Sequence, residues 1–216
     1  MVESEKMTEK EYVSYNEVHK LCQEGAEILK NFKPDLMIAI GGGGFIPARI
    51  LRTFLKEPGA KNIPIQAIGL SLYEQIGQGP LTATPEKEQA GMEVVRTQWL
   101  DFNNLEQHAG NLIGKKILIV DEVDDTRTTL HYALSELQKD VKAQAEKLGR
   151  KDEETSFYIF VLHNKDKPKH AELPEDMISE GRYIAARTVP DIWIAYPWEA
   201  RDIDEQTRLA ELKNQH

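Results

Sequence analysis

One junction constrains this chain more than any other. An aliphatic run from Lys116 to Val120 (KILIV) passes directly into Asp121, Glu122, Val123, Asp124 and Asp125, and then into Thr126, Arg127, Thr128 and Thr129. A short continuous apolar run reads as a strand buried on both faces, the pattern of a parallel sheet covered by helices. Beyond the threonines, Leu130, Ala133, Leu134, Leu137, Val141, Ala145 and Leu148 repeat at helical spacing. Strand, turn and helix therefore follow in order. Four carboxylates within five residues repel one another, and such crowding is tolerated where cations, hydroxyl donors or backbone amides use the oxygens. Asp121 and Glu122, at the strand tip, can accept hydrogen bonds from sugar hydroxyls or reach metal-bound water. The threonines beside the free amides of the next helix suit a phosphate monoester. A solvated acidic turn with a threonine cap is the plainer alternative, and the adjoining aliphatic strand argues against it.

A second junction has the same plan. Leu36 to Ile40 is a short apolar run, Gly41–Gly44 follow, and a helical stretch opens at Pro47 (PARILRTFLKE). Four glycines leave backbone amides uncovered and allow both positive φ and close approach of a ligand. No Gly-Lys-Ser/Thr follows, so this is not a Walker loop. A flexible turn is the alternative, for which one or two glycines would be enough. In open α/β sheets, ligands collect outside the carboxyl ends of the strands, where both junctions lie.

Around these junctions, residues 15–31 read as an amphipathic helix, Ile63–Tyr73 and Phe157–His163 as strands, and Val94–Trp99 as a strand returning along its neighbour. Glu74 to Glu93 holds little that could be buried, and a loop that long within a compact domain is usually functional or disordered. It is expected to be a mobile lid, spanning about 74–97. Tyr183–Trp198, rich in aromatics and prolines, is expected to form a separate lobe. The alternation of strands and helices gives an α/β fold with a mainly parallel central sheet flanked by helices. It would be a single domain over 12–216, after a disordered tail at 1–11, with a small C-terminal hood at about 164–216.

The bulk properties exclude several classes. The formal net charge is −9, and Lys165, Lys167 and Lys169 form only a short basic stretch interrupted by Asp166. No broad basic face is offered to nucleic acid. No apolar run approaches the ~20 residues that cross a bilayer. The single cysteine, Cys22, precludes an intrachain disulfide and reads as a core filler, which fits a reducing, cytoplasmic setting.

ILIVDEVDDTRTT resembles the phosphoribosyl diphosphate signature of type I phosphoribosyltransferases. IAIGGGGFIPARIL is similar to that family's pyrophosphate loop, LSLYEQIG to the segment opening its catalytic lid, and DIWIAYPWE to the purine hood of its xanthine-guanine branch. The four motifs occur in the family's order over about Leu36–Arg201. The whole chain resembles the fungal hypoxanthine-guanine and xanthine members.

The resemblance implies the type I phosphoribosyltransferase fold and a role for individual positions. Asp121 and Glu122 would hold the ribose hydroxyls. Asp125, Thr126, Arg127, Thr128 and Thr129 would wrap the 5-phosphate, with Asp125 as the catalytic acid facing the purine imidazole. Gly41, Gly42 and Gly43 would contact pyrophosphate, with a cis peptide at Gly41–Gly42, and Ser71, Tyr73 and Arg201 would join them. Trp193 would stack on the purine, Ile194 would read its edge, and Lys165 or His163 would meet the 6-oxo group. Glu199 would sit near the base or, with Asp121 and Glu122, near Mg2+. Two departures stand out: Arg127 replaces a glycine common in relatives and would touch phosphate or face solvent, and Leu72 splits the Ser-Tyr pair.

The implied reaction is purine salvage: transfer from phosphoribosyl diphosphate to hypoxanthine or guanine, giving the purine nucleoside monophosphate IMP or GMP, by a homodimer. Xanthine is the alternative base. A non-catalytic nucleotide-sensing regulator with the same fold is the rival of another class, and the presence of Asp125 and the long 74–93 loop argue against it.

Overall fold

The computed structural model describes residues 10–73, 93–101 and 111–213. The lid expected from Glu74 onward lies outside them as far as residue 92, as do residues 1–9 of the expected tail. In chain order the elements are β1 (Lys10–Tyr12), α1 (Tyr15–Leu29), β2 (Leu36–Gly41), α2 (Phe45–Leu55), β3 (Ile65–Tyr73), β4 (Glu93–Gln98), β5 (Lys116–Asp124), α3 (Thr128–Leu148), β6 (Ser156–Asp166), α4 (Glu175–Ser179), β7 (Tyr183–Pro190), β8 (Trp193–Ala195), a 3-10 turn (Pro197–Glu199) and α5 (Ile203–Lys213).

The main sheet has six strands in the order β4-β3-β2-β5-β6-β7, parallel throughout except for the antiparallel β3–β4 pair. Its central strands β2, β5 and β6 are buried on both faces, as their uninterrupted apolar runs require. Met37, Ala39, Leu118, Val120, Phe160 and Leu162 join Leu21, Cys22, Leu29 and Leu51 of α1 and α2. The alternate residues Ile38, Ile40, Ile117, Ile119, Ile159 and Val161 meet Leu130, Leu134 and Leu137 of α3. One pleat thus divides the core into two layers. Cys22 lies in the first layer, its thiol pushed up to about 12 by burial.

Local signals set the helix ends. Ser14 caps α1 by accepting the Glu17 N–H at 3.1 Å. Gly149, with φ 67°, ends α3. The second helix starts at Phe45 rather than at Pro47, because a proline two residues into a helix still lies in the first turn, where no amide is needed.

Three boundaries differ from expectation. Lys10 and Glu11, assigned to the disordered tail, form β1 with Tyr12 and pair in parallel with β8. Residues 93–97, assigned to the lid, lie in β4, which pairs back on β3 as the return strand was expected to. Residues 164–166 and 183–190, assigned to the hood, belong to the main sheet, because β6 runs on to Asp166 and pairs with β7 as far as Pro190, and between them Leu173 and Met177 pack into the core layer of α3. The hood proper is the two-stranded β1–β8 sheet with the 3-10 turn and α5 against it.

Candidate active site

The chain passes from β2 to β3 on one side and returns to β5 on the other, so the sheet reverses its winding between β2 and β5. At such a switch point the connections diverge and leave a crevice above the strand ends. Here it is a cavity of about 450 Å3 lined by both glycine and acid-threonine junctions.

Gly41, Gly42 and Gly43 form one wall. The Gly41–Gly42 peptide is cis, as the resemblance implied. None of the four glycines has positive φ, so that expected freedom is not used. Close approach is the reason at Gly43 instead, where an added methyl group would overlap the adjoining Glu122 side chain.

The opposite wall is the end of β5 and the start of α3. Thr126, Arg127 and Thr129 line it, while Thr128 is tied to Thr126 by a 3.0 Å contact between hydroxyls. Asp121 accepts the Glu122 N–H at 2.8 Å, and Glu122 Oε2 accepts the indole N–H of Trp198 at 2.9 Å. Burial, with the neighbouring charges of Glu122 and Asp124, holds the Asp121 carboxyl well above the usual range. Burial and the charge of Glu199 push Glu122 up to about 7, although the Trp198 N–H opposes this. Asp121, Glu122 and Glu199 all line the cavity, yet among the described residues no three His, Cys, Asp or Glu side chains form a ligand cage.

Asp125 behaves differently from the other acids. Burial would raise its pKa, but Lys167 at 2.8 Å and Lys165 at 3.3 Å outweigh that and hold the carboxyl below the ordinary range. Asp191 shares both lysines, at 3.2 Å from Lys167 and 3.8 Å from Lys165.

Trp193, 40% exposed, lines the third side with Ile194, Tyr196 and Glu199. Of the two candidates for the 6-oxo position, Lys165 lines the cavity and His163 does not. His163 sits two residues deeper in β6, is 1% exposed, and is covered by Tyr196, whose hydroxyl lies 2.9 Å from Nδ1. Tyr196 donates to the Glu122 carbonyl at 3.1 Å and stacks on Trp198 with ring centroids 4.8 Å apart. Ser71 lines the cavity, Tyr73 ends β3, and Arg201 is exposed and stands outside the cavity lining.

Of its two expected positions, Arg127 does not take the solvent-facing one. Its guanidinium turns away from solvent and bonds the buried Asp124 carboxylate, from Nε at 3.0 Å and from NH2 at 2.9 Å. The sequence reading also passed over Lys167, Lys169, Tyr183, Asp191, Tyr196 and Trp198. One signal could have found two of them: Lys165, Lys167 and Lys169 recur at every second position beyond a strand tip that faces acids.

Residues 13–185 match the family model described as "Phosphoribosyl transferase domain". The chain belongs to the phosphoribosyltransferase family. It is 61% identical to xanthine phosphoribosyltransferase 1 of Saccharomyces cerevisiae over 212 residues, which cover 97% of each chain. It is 62% identical to the hypoxanthine-guanine phosphoribosyltransferase of Schizosaccharomyces pombe over 195 residues, covering 90% of this chain and 91% of that one. Among solved structures, a hypothetical protein from Neisseria gonorrhoeae with bound ppGpp is 37% identical, with a TM-score of 0.71, covering 97% of this chain and 99% of that one. The phosphoribosyltransferase fold is thus reached from both the strand order and the family match. No helix among the described residues is long and apolar enough to cross a membrane.

Proposed function

We propose that this phosphoribosyltransferase transfers the 5-phosphoribosyl group from phosphoribosyl diphosphate to hypoxanthine or guanine, releasing pyrophosphate and IMP or GMP. The observation that carries the reading is the single cavity of about 450 Å3 onto which the acid-threonine turn, the polyglycine turn and Trp193 all open. A sugar flanked by a phosphate, a pyrophosphate and a planar base needs these three walls at once. The names of the two fungal relatives support the substrate class, and the guanine nucleotide ppGpp on the solved relative supports a purine-nucleotide site.

Departure of pyrophosphate from the anomeric carbon builds positive charge on the ribose and negative charge on the leaving group. Asp121 and Glu122 face the first, and the amides of Gly41–Gly43 face the second. Asp125 accepts or steers the proton on the purine imidazole nitrogen, with Lys165 and Lys167 keeping its carboxyl ionised. Lys165 donates to the 6-oxo group and Trp193 covers the base. The raised pKa values of Asp121 and Glu122 mark carboxylates without a countercharge, which fits a divalent cation at their side of the cavity. Magnesium commonly keeps several waters and takes one or two carboxylates plus substrate phosphates, so a three-ligand protein cage is not needed. Bound there, it would neutralise charge on the leaving pyrophosphate.

Overall identities of 61% and 62% do not separate xanthine from hypoxanthine and guanine. Steady-state rates with hypoxanthine, guanine, xanthine and adenine, with phosphoribosyl diphosphate and magnesium supplied, make the test. Turnover of hypoxanthine and guanine above the other bases is expected. A preference for xanthine would reassign the base, and nucleotide binding without turnover of any base would favour the regulator. The reading also takes the enzyme as a cytoplasmic homodimer, and light scattering on the purified protein checks the stoichiometry.

A further inference from the structure

Arg127 is an L-residue held in the left-handed region, with φ 69° and ψ −3°, at the position that turns the chain from β5 into α3. Glycine would adopt that conformation freely, so an arginine there must be held by something. Beneath the turn its side chain is 13% exposed, and both its bonds go to Asp124, whose side chain is fully buried. The guanidinium carbon lies 5.0 Å above the Tyr183 ring, and the Tyr183 hydroxyl donates to the same Asp124 oxygen at 2.7 Å.

The backbone of the turn is gripped from that side as well. Lys169 Nζ donates to the carbonyls of Asp124 at 2.9 Å, Asp125 at 2.8 Å and Lys165 at 2.9 Å. The His170 N–H takes the Thr126 carbonyl at 2.9 Å, and the His131 N–H takes that of Arg127 at 2.9 Å. Four consecutive carbonyls, 124 to 127, are therefore all engaged. In a planar trans peptide the N–H points opposite to the carbonyl of the same unit. The amides of Asp125, Thr126 and Arg127 are thereby turned away from Lys169 and His170, neither of which lines the cavity.

We propose that Asp124, Arg127 and Lys169 are positioning residues that set the affinity for the 5-phosphate without touching it. They act as a brace: Arg127 and Asp124 fix the left-handed turn, and Lys169 draws the carbonyls down so that the amides face the ligand. This rests on the phosphoribosyltransferase reading of the cavity.

The test compares the binding of GMP and of guanosine by titration calorimetry, alongside KM for phosphoribosyl diphosphate and for guanine. In the unaltered protein GMP must bind more tightly than guanosine; if it does not, the reading of the cavity fails, independently of the brace. Arg127→Leu keeps an L-residue but loses both bonds, and should weaken GMP about tenfold or more, the worth of one or two charge-assisted hydrogen bonds. Guanosine affinity and KM for guanine should stay unchanged. The double variant Asp124→Asn with Arg127→Gly needs no brace and should return to within about threefold of the unaltered protein, since glycine takes the left-handed turn without strain. Lys169→Met should show the same phosphate-selective loss, and remains informative if Arg127→Leu does not fold. Equal losses in Arg127→Leu and the double variant would mean that Arg127 itself contacts phosphate, and would overturn the proposal. Unchanged GMP affinity in Arg127→Leu and Lys169→Met, or parallel losses for GMP and guanosine, would overturn it too.

Discussion

The acid-threonine turn, proposed to hold the phosphate, hangs from β5, a nine-residue strand paired on both sides, whereas Trp193 and Ile194, proposed to meet the base, stand on a three-residue strand whose partner is another three-residue strand. The two regions face one cavity but are stabilised by different means. The phosphate side draws on sheet ladders, apolar layers on both faces and the ion pairs beneath the turn. The base side has few ladder bonds, and is closed by one buried amide: Gln206 of α5 donates to the Val13 carbonyl at 2.9 Å and to the Ala195 carbonyl at 2.7 Å. A short two-stranded sheet is marginal alone, so the hood depends on such ties. Both walls rest on one apolar layer, which takes in Val13, Ile194 and Tyr196 as well as Leu118 and Val120, and the difference teaches that a wall with short ladders needs long-range polar ties in addition.

The comparison can be broken or sharpened by substitution. The largest effect is expected at Asp125, the proposed proton acceptor: Asp125→Asn should lower kcat by roughly a hundred- to ten-thousandfold, the usual range for a general acid or base, while GMP affinity changes little. Equal loss in kcat and GMP affinity would make the residue structural. Next, Gly43→Ala forces a methyl group against Glu122, and overpacking of about 1–3 kcal/mol corresponds to a rise of up to about a hundredfold in KM for phosphoribosyl diphosphate. KM for guanine should hold, and a rise in it of the same size would show that the walls are not separable. Gln206→Leu works on the other wall. It leaves two carbonyls without their side-chain donor, so KM for guanine should rise about tenfold with KM for phosphoribosyl diphosphate unmoved; the reverse pattern would mean that the hood does not hold the base. The smallest effect on catalysis is expected at Gly25→Ala, whose methyl group meets Phe160 in the core shared by both walls. Melting should fall by several degrees, as an overpacked core costs about 1–3 kcal/mol, with both KM values unchanged.

The same contrast explains what could be read from the sequence. The acid-threonine and polyglycine turns are each contiguous: strand, turn and helix follow within a few residues, so residue types alone marked both junctions that line the cavity, and the aliphatic runs indicated the parallel sheet. The hood is assembled from Lys10–Tyr12, Trp193–Ala195 and Gln206, separated by most of the chain. Three-residue strands carry no periodicity, which is why Lys10 and Glu11 read as a tail. Arg127 was ambiguous for a related reason, since its meaning depends on Tyr183 and Lys169, neither of which is near in sequence. Tyr196 likewise covers His163 while Lys165 stays on the cavity wall, and only the folded chain brings it there.

The tie made by Gln206 bears on how the protein comes into being. Synthesis proceeds from the N-terminus, and domains begin to fold as they emerge. Lys169 and Tyr183, which underpin the phosphate turn, leave the ribosome before Trp193 does, and Gln206 later still. A domain folds as a unit, so the short β1–β8 sheet is complete only when the segment carrying Gln206 is available to bond the Val13 and Ala195 carbonyls.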